Sequence, residues 1–329
     1  MDAVVVTRGV SRHFGAVTAL DGVSVEIEPG VTGLLGANGA GKTTLLALLL
    51  GLDRPDAGSL TVLGRDPTTA GPEVRARLGY SPEHDQLPPE VSAQDLVRHL
   101  AEVHGLPRRH AVARASDTLH LVGLGEERLR PVGTMSLGQK QRVKLAVALV
   151  HDPALALLDE PTNGLDPLQR ADMLSLIRKV ADDLAIHVVI SSHLVHEVEQ
   201  VCDRVIVLDE GRLAATGSVA GLSTVTGEVE VEVTDDAPTL AAALVAAGMT
   251  AAAASRRIVV VNVDGAADYD RIRDAVIDLG QGLHRLQSRT TGLTERFFGE
   301  GPPPTLSDFP PPASDPSSDL PAPTSGARP

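Results

Sequence analysis

The sequence predicts an α/β protein: a core of buried parallel strands, an antiparallel β part, a helical part, and a small α+β domain towards the C-terminus. Three observations predict it. Apolar runs at Val31–Leu35, Leu155–Leu158 and His187–Ser192 show no clean polar alternation, as strands buried on both faces require. Val23, Val25 and Ile27 instead alternate with Ser24, Glu26 and Glu28, the pattern of a sheet with one wet face. Far downstream, Glu228–Val233 alternates acid with valine, so a second one-sided sheet follows the core.

Taken in order, Val4–Thr7 reads as the first strand and the alternating Val23–Ile27 segment as its antiparallel neighbour. Pro29-Gly30 turns the chain into Val31–Leu35. Then comes Gly36-Ala37-Asn38-Gly39-Ala40-Gly41-Lys42-Thr43-Thr44, a full match to G-x-x-x-x-G-K-[ST] between a strand and the apolar helix start Leu45–Leu50. Its glycines let backbone N–H groups converge, and the helix adds its positive end, so the loop suits a nucleotide's phosphates better than a plain glycine turn. Lys42 would reach the β and γ phosphates, and the Thr43 hydroxyl would hold Mg²⁺. Upstream, Arg12-His13-Phe14-Gly15 reads as a loop. Aromatics make up only 2% of the chain, so Phe14 beside a glycine is either a ring that stacks on adenine or an ordinary core side chain.

Leu60–Gly64 and Leu78–Tyr80 predict two more short strands, and helices dominate from Ser92 to about Leu121. Ser92 with Asp95 three residues on gives a capping-box-like start for a helix over 94–104. Met135-Ser136-Leu137-Gly138-Gln139 leads into a helix over Val143–Val150, and its serine and glycine offer a second anion-binding helix end. The strand Leu155–Leu158 ends in Asp159-Glu160. An aspartate there can hold Mg²⁺ through water, and the adjacent glutamate can polarise an attacking water. Asn163–Pro167 is a turn before a helix to about Val180. His193 lies just past Ser192, at the strand edge where α/β sheets bind ligands. In a chain with eleven histidines, that position is what distinguishes it.

Composition narrows the setting. The chain has 329 residues, a formal charge of −14 and 43% hydrophobic residues, enough for about two domains. Residues 1–221 and 222–329 each carry seven more acidic than basic groups, which argues against a nucleic-acid surface. Cys202 is the single cysteine, expected to be buried and inert. The start Met1–Val4 shows no signal-peptide pattern, and the alanine-rich stretch 238–255 is too weakly apolar to span a bilayer. A membrane partner would have to supply the spans.

These motifs together resemble the ATP-binding cassette (ABC) ATPases, over about residues 4–220. Walker A falls on Gly36–Thr44 and Walker B on Leu155–Asp159, with the catalytic glutamate at Glu160. The signature loop is Met135–Gln139, the D-loop Asn163–Asp166, the switch histidine His193 and the adenine-stacking aromatic Phe14. The resemblance implies a P-loop NTPase core with antiparallel β and helical subdomains, and ATP with Mg²⁺. It also implies an ATP-dependent head-to-tail dimer, of identical or related chains, in which Ser136 and Gly138 of one copy meet the γ-phosphate held by the other. Gln139 and Asp166 join that nucleotide site by the same motifs. Glu83 stands at the Q-loop position where glutamine is usual, and there could still bind Mg²⁺ or water. Leu137 stands where the signature loop usually has glycine. Both departures resemble bacterial drug, antibiotic and polysaccharide exporters. They imply a peripheral subunit on the cytoplasmic face of the cell membrane, working with a separately encoded permease. Efflux of a drug, antibiotic or other hydrophobic or glycosylated compound is then expected.

The expected division is a nucleotide-binding domain at 1–221, with its helical subdomain at about 83–150. A small α+β domain at 222–299, ferredoxin-like in pattern, follows. Thr291–Phe298 resembles the closing segment of the C-terminal domain of many exporter cassettes. At 300–329, ten of thirty residues are proline, which predicts a disordered tail. The rival function is a soluble cassette acting on ribosomes or DNA. One cassette, 116 residues between Lys42 and Asp159, and an acidic charge all stand against it.

Overall fold

The computed structural model describes residues 3–84, 87–222, 224–263 and 265–291. The chain opens with β1 (Val5–Phe14), β2 (Val17–Ile27), β3 (Val31–Leu35), α1 (Lys42–Leu49), β4 (Ala57–Val62), α2 (Gly71–Arg75) and β5 (Leu78–Ser81). It continues through α3 (Ala93–Val103), α4 (Arg108–Leu121), α5 (Leu137–Leu149), β6 (Leu155–Asp159), α6 (Pro167–Leu184) and β7 (His187–Ser192). Then follow α7 (Val195–Val201), β8 (Arg204–Asp209), β9 (Arg212–Ser218) and α8 (Val219–Leu222).

Two sheets form this part. One has the order β2-β1-β4 and is antiparallel, the other β5-β6-β7-β3-β8-β9, parallel except for β9. The alternation at 23–27 is resolved as expected, with Val23, Val25 and Ile27 buried and the intervening residues exposed. The buried strands divide their side chains with period two. Ala156, Leu158, Val188, Ile190, Val205 and Val207 enter one core with α3 to α7, while Leu155, Leu157, Val189, Ile206 and Leu208 enter another with α1 and the antiparallel sheet. Helix α1 is therefore apolar on nearly every side, and Leu45, Leu46, Leu48 and Leu49 are all buried. The helical part packs with narrower seams: Ala93, Val97 and Ala101 of α3, and Ala111, Ala115 and Leu119 of α4.

The remaining elements are β10 (Thr224–Val233), α9 (Ala237–Ala246), β11 (Ala251–Ala253), β12 (Ile258–Asn262), α10 (Ala266–Asp278) and β13 (Leu283–Thr291). Their antiparallel sheet has the order β11-β12-β10-β13, the split βαβ arrangement of ferredoxin-like folds. Val229, Val231 and Val233 form its core with Leu240, Leu244, Ile272 and Val276.

Several boundaries differ from the sequence reading. β1 runs through Arg12 and His13 to Phe14, so these residues end a hairpin strand instead of forming a loop. Helix α5 begins at Leu137, six residues before the expected Val143. Ser136 accepts the Gln139 N–H, and the Gln139 side chain accepts the Ser136 N–H, a reciprocal cap that starts the helix there. At Ser92 the box is not reciprocal. Its hydroxyl accepts the Asp95 N–H at 3.1 Å and donates to the Asp95 carboxylate at 2.7 Å. β11 had no sequence signal, since alanine is a poor strand former; pairing with Val259–Val261 holds it. The segment 292–298 and the proline-rich 300–329 lie outside the described residues.

Candidate functional site

The sheet order places four loops side by side. Parallel strands β5, β6, β7 and β3 are adjacent and end, respectively, at Ser81, Asp159, Ser192 and Leu35. Within two residues of each end come those the sequence singled out: Glu83, Glu160, His193 and the phosphate loop. Carboxyl ends of parallel strands are where such sheets bind ligands.

The loop 36–41 wraps the N-terminus of α1. Gly41, its N-cap, has φ +100°, and a Cβ there would come within 2.6 Å of the Ala19 carbonyl oxygen. Only glycine fits both the left-handed backbone and the contact with the β2 end. Lys42 is buried, and its Nζ donates to the carbonyls of Gly36 at 2.7 Å and Ala37 at 3.3 Å. A cavity of about 270 Å³ opens over this loop, lined by Val17, Thr18, Ala19, Ala37, Asn38, Gly39, Gly41, Lys42, Thr43, Thr44, Glu83 and Glu160. Gly36 and Ala40, in the same loop, are not among the residues that line the cavity.

Glu160 is 5% exposed and takes φ +46°, outside the range comfortable for its side chain. Ser191 helps to hold that turn. Its hydroxyl donates to Asp159 Oδ1 at 2.6 Å and accepts the Glu160 N–H at 2.8 Å. Asp159 Oδ2 accepts the Thr43 hydroxyl at 3.1 Å, which ties the end of β6 to the phosphate loop. Glu160 Oε1 lies 3.2 Å from Lys42 Nζ, and Oε2 lies 2.9 Å from His193 Nδ1. Lys42, Glu160 and His193 thus form one chain of polar contacts across three loops. Burial, followed by the charges of Asp159 and Glu83, pushes the nearby Tyr80 hydroxyl up to about 12.

The other predicted residues sit apart from this chain. Glu83 Oε1 accepts from the Asn163 side-chain amide at 3.2 Å, so its carboxylate faces the 163–166 turn as well as the cavity. Phe14 is half exposed, which removes the core alternative, and the Arg12 guanidinium covers its ring at 4.7 Å. Asp166 caps α6 by accepting the Gln169 N–H at 2.9 Å. Ser136, Gly138 and Gln139, at the start of α5, do not line the cavity, and neither do Phe14, His193 or Asp166. Leu137 lies against Gly164, where an added Cβ would be 2.8 Å from its Cδ2.

The ABC transporter family profile matches residues 20–163. The bacitracin transport ATP-binding protein BcrA of Bacillus licheniformis is 36% identical over 214 residues, 65% of this chain and 69% of that protein. This chain belongs to the ABC transporter ATP-binding family. The methionine import ATP-binding protein MetN of Mesorhizobium japonicum is also 36% identical, over 64% of this chain and 59% of its own length. Among solved structures, cbiO1 from Clostridium perfringens, part of the cbiONQ complex, superposes with a TM-score of 0.62 at 28% identity. That match covers 66% of this chain and 89% of cbiO1. The protein is therefore an ATPase subunit of the ABC class, and among its described residues no helix is long and apolar enough to cross a membrane.

The donor set of this ABC ATPase can be weighed against Mg²⁺, which takes hard oxygens, keeps several waters and needs one or two carboxylates. Thr43 and Asp159 supply such oxygens side by side, and Glu160 Oε1 is a buried oxygen held by the ion pair with Lys42 alone. Among the described residues no three His, Cys, Asp or Glu side chains form a cluster able to hold a metal. The residues fit an ion shared with phosphates. Sequence reading missed Val17–Ala19, which line the cavity from the end of β2, and Ser191, whose serine type in an apolar strand was the available signal. Cys202 is buried, and burial pushes its thiol up to about 12, as an inert structural cysteine should be.

Proposed function

We propose that this ATPase powers export through a separate membrane permease, on the cytoplasmic face of a bacterial cell membrane, and that it works as an ATP-dependent dimer with Mg²⁺. The observation that carries the dimer is the split within one chain. The phosphate loop, Glu160 and Glu83 share a cavity, whereas Ser136 and Gly138 lie at another helix start. A second copy would supply them.

In this reading Lys42 and the N–H groups of 36–44 hold the phosphates, with Phe14 beside the adenine. Thr43 and Asp159 would hold Mg²⁺, with Glu83 at the edge of its water shell. When bound, the metal neutralises charge on the phosphate oxygens. Glu160 takes the proton from the attacking water, and His193, 2.9 Å away, orients that carboxylate. Gln139 shapes the signature helix start and Asp166 the turn beside it.

Export rests on Leu137 and Glu83, on the accessory α+β domain read at 222–299, and on similarity to a bacitracin transport ATP-binding protein. The nucleotide-binding domain is read as 1–221. A drug, antibiotic or other hydrophobic or glycosylated compound is the proposed cargo. Import is the second reading, favoured by the equal identity to the methionine import protein. Purifying the chain from membranes and identifying the co-purifying integral protein tests the partner. Transport by vesicles carrying both polypeptides tests direction. Recovery with ribosomes and no integral membrane protein would overturn the reading.

A further inference from the structure

Glu197 is a buried acid that the proposed mechanism does not use. It sits in α7 at 1% exposure, one of few charged side chains in the interior. Its Oε1 accepts the Thr162 hydroxyl at 2.7 Å, and its Oε2 accepts the Ser192 hydroxyl at 2.5 Å. The Arg170 guanidinium of α6 lies 3.2 Å from Oε1, and Arg170 also donates to the Leu165 carbonyl at 3.4 Å.

The placement of those partners matters more than their number. Thr162 stands two residues after Glu160, and Ser192 one residue before His193. Thr162 and Ser192 are both buried, at 2% and 0% exposure, so water cannot take over their bonds. Ser192 in turn accepts the Leu194 N–H at 3.0 Å, which fixes the backbone on the far side of His193. A single carboxylate therefore clasps the two segments that carry Glu160 and His193. Ser191 bridges the same two segments from the side of Asp159.

Leaving a buried carboxylate in place is costly unless its oxygens are fully used. An apolar side chain would fill this position at less cost, unless the site needs the two hydroxyls gathered to one point. We propose that Glu197 is a positioning residue for ATP hydrolysis: it sets the spacing between the Glu160 turn and His193 so that the 2.9 Å Glu160–His193 contact forms. It touches neither the phosphate loop nor the cavity lining, so nucleotide affinity should not depend on it. This inference rests on the proposed roles of Glu160 and His193.

The test uses the purified full chain, with ATP hydrolysis and ATP binding measured on the same preparations. A small misplacement of a catalytic group costs up to about 10²-fold. Glu197→Ala should lower kcat by roughly ten- to a hundred-fold while ATP affinity stays within about twofold. Thr162→Val, a milder change that removes one hydroxyl, should lower kcat in the same direction and guards against a variant that fails to fold. The discriminating measurement is a double-mutant cycle with His193→Ala. If Glu197 acts through the Glu160–His193 contact, Glu197→Ala adds little to the loss that His193→Ala already causes. Fully additive losses, or parallel loss of kcat and ATP affinity, would reduce Glu197 to a packing role. Should His193→Ala alone leave turnover intact, the fault lies in the site reading beneath the inference, and the cycle separates the two failures.

Discussion

Glu160→Gln isolates the proton-accepting step. The amide keeps the size and planarity of the carboxylate, and its oxygen can still face His193 Nδ1, now 2.9 Å from Oε2. What it loses is basicity. Removal of a general base costs about 10²–10⁴-fold in turnover, or roughly 3–5 kcal/mol in the barrier. Binding should respond differently. Lys42 Nζ lies 3.2 Å from Glu160 Oε1, a gross attraction of about 5 kcal/mol at an effective dielectric near 20, mostly offset by the cost of desolvating both groups. Lys42 keeps its bonds to the Gly36 and Ala37 carbonyls in either case. The amide thus frees the lysine and removes one negative charge from a cavity meant for phosphates. ATP affinity should be unchanged or tighter. Phosphate release and equilibrium ATP binding, measured on one preparation, separate the two effects. Turnover within threefold of the wild type would refute the base assignment, and a matching loss of ATP binding would show that the variant damages the loop.

Lys42→Ala should abolish ATP binding as read by equilibrium dialysis, because among the described residues no other cation lines the cavity; undiminished affinity would sink the phosphate-loop assignment. Gly79→Ala should destabilise the fold by about 1–3 kcal/mol, since the new Cβ would run into the backbone carbonyl of Ala148, which cannot rotate away; thermal denaturation reads it. Cys202 should resist thiol reagents at pH 8 in the folded protein and react only after denaturation, given a buried thiol raised to about 12. His104 and His151 stack at 3.8 Å, and burial holds both below the usual histidine range. The unfolded chain then binds protons that the folded chain refuses, so their contribution is full above about pH 6.5 and is lost as pH falls through that value. Tm should drop between pH 7.5 and 5.5, and drop less in His104→Gln; an equal fall in both would remove the pair as its cause.

How far the sequence was legible follows from the range of each interaction. The phosphate loop, the Asp159-Glu160 pair and the strands beside them are spelled by contiguous residues, and the structure places them together. The start of α5 was also written locally, in Ser136 and Gln139, yet the apolar run after Arg142 drew the expected start too far downstream. Val17–Ala19 could not be assigned to the site, because they reach it only through a hairpin whose register is set by β1 and β4. Glu197 was invisible for a similar reason. Its partners Thr162, Ser192 and Arg170 come from three elements, and no spacing in one segment encodes their meeting point. Phe14 shows the opposite limit: its neighbours were clear, but only exposure could decide against the core.

The leucine in the signature loop is the departure that most invites a physical account. In one chain, Leu137 is 40% exposed and leans on Gly164, whose φ of +76° needs glycine in any case. The side chain therefore uses space that the turn at 163–166 must leave open for its own backbone. Ser136 and Gln139 cap the helix through their own side chains and backbone, with no part taken by the side chain of residue 137. Among the described hydrogen bonds, the N–H groups of Leu137 and Gly138 have no acceptor, so the helix start keeps donors available. The contact also joins α5 to the turn that donates from Asn163 to Glu83. Both departures from the family pattern thus border one turn, with Leu137 packing on Gly164 and Glu83 accepting from Asn163. A leucine at 137 and a carboxylate at 83 are compatible with the helix start and the turn that the usual residues would serve, because each is accommodated by the turn and not by the phosphate cavity alone.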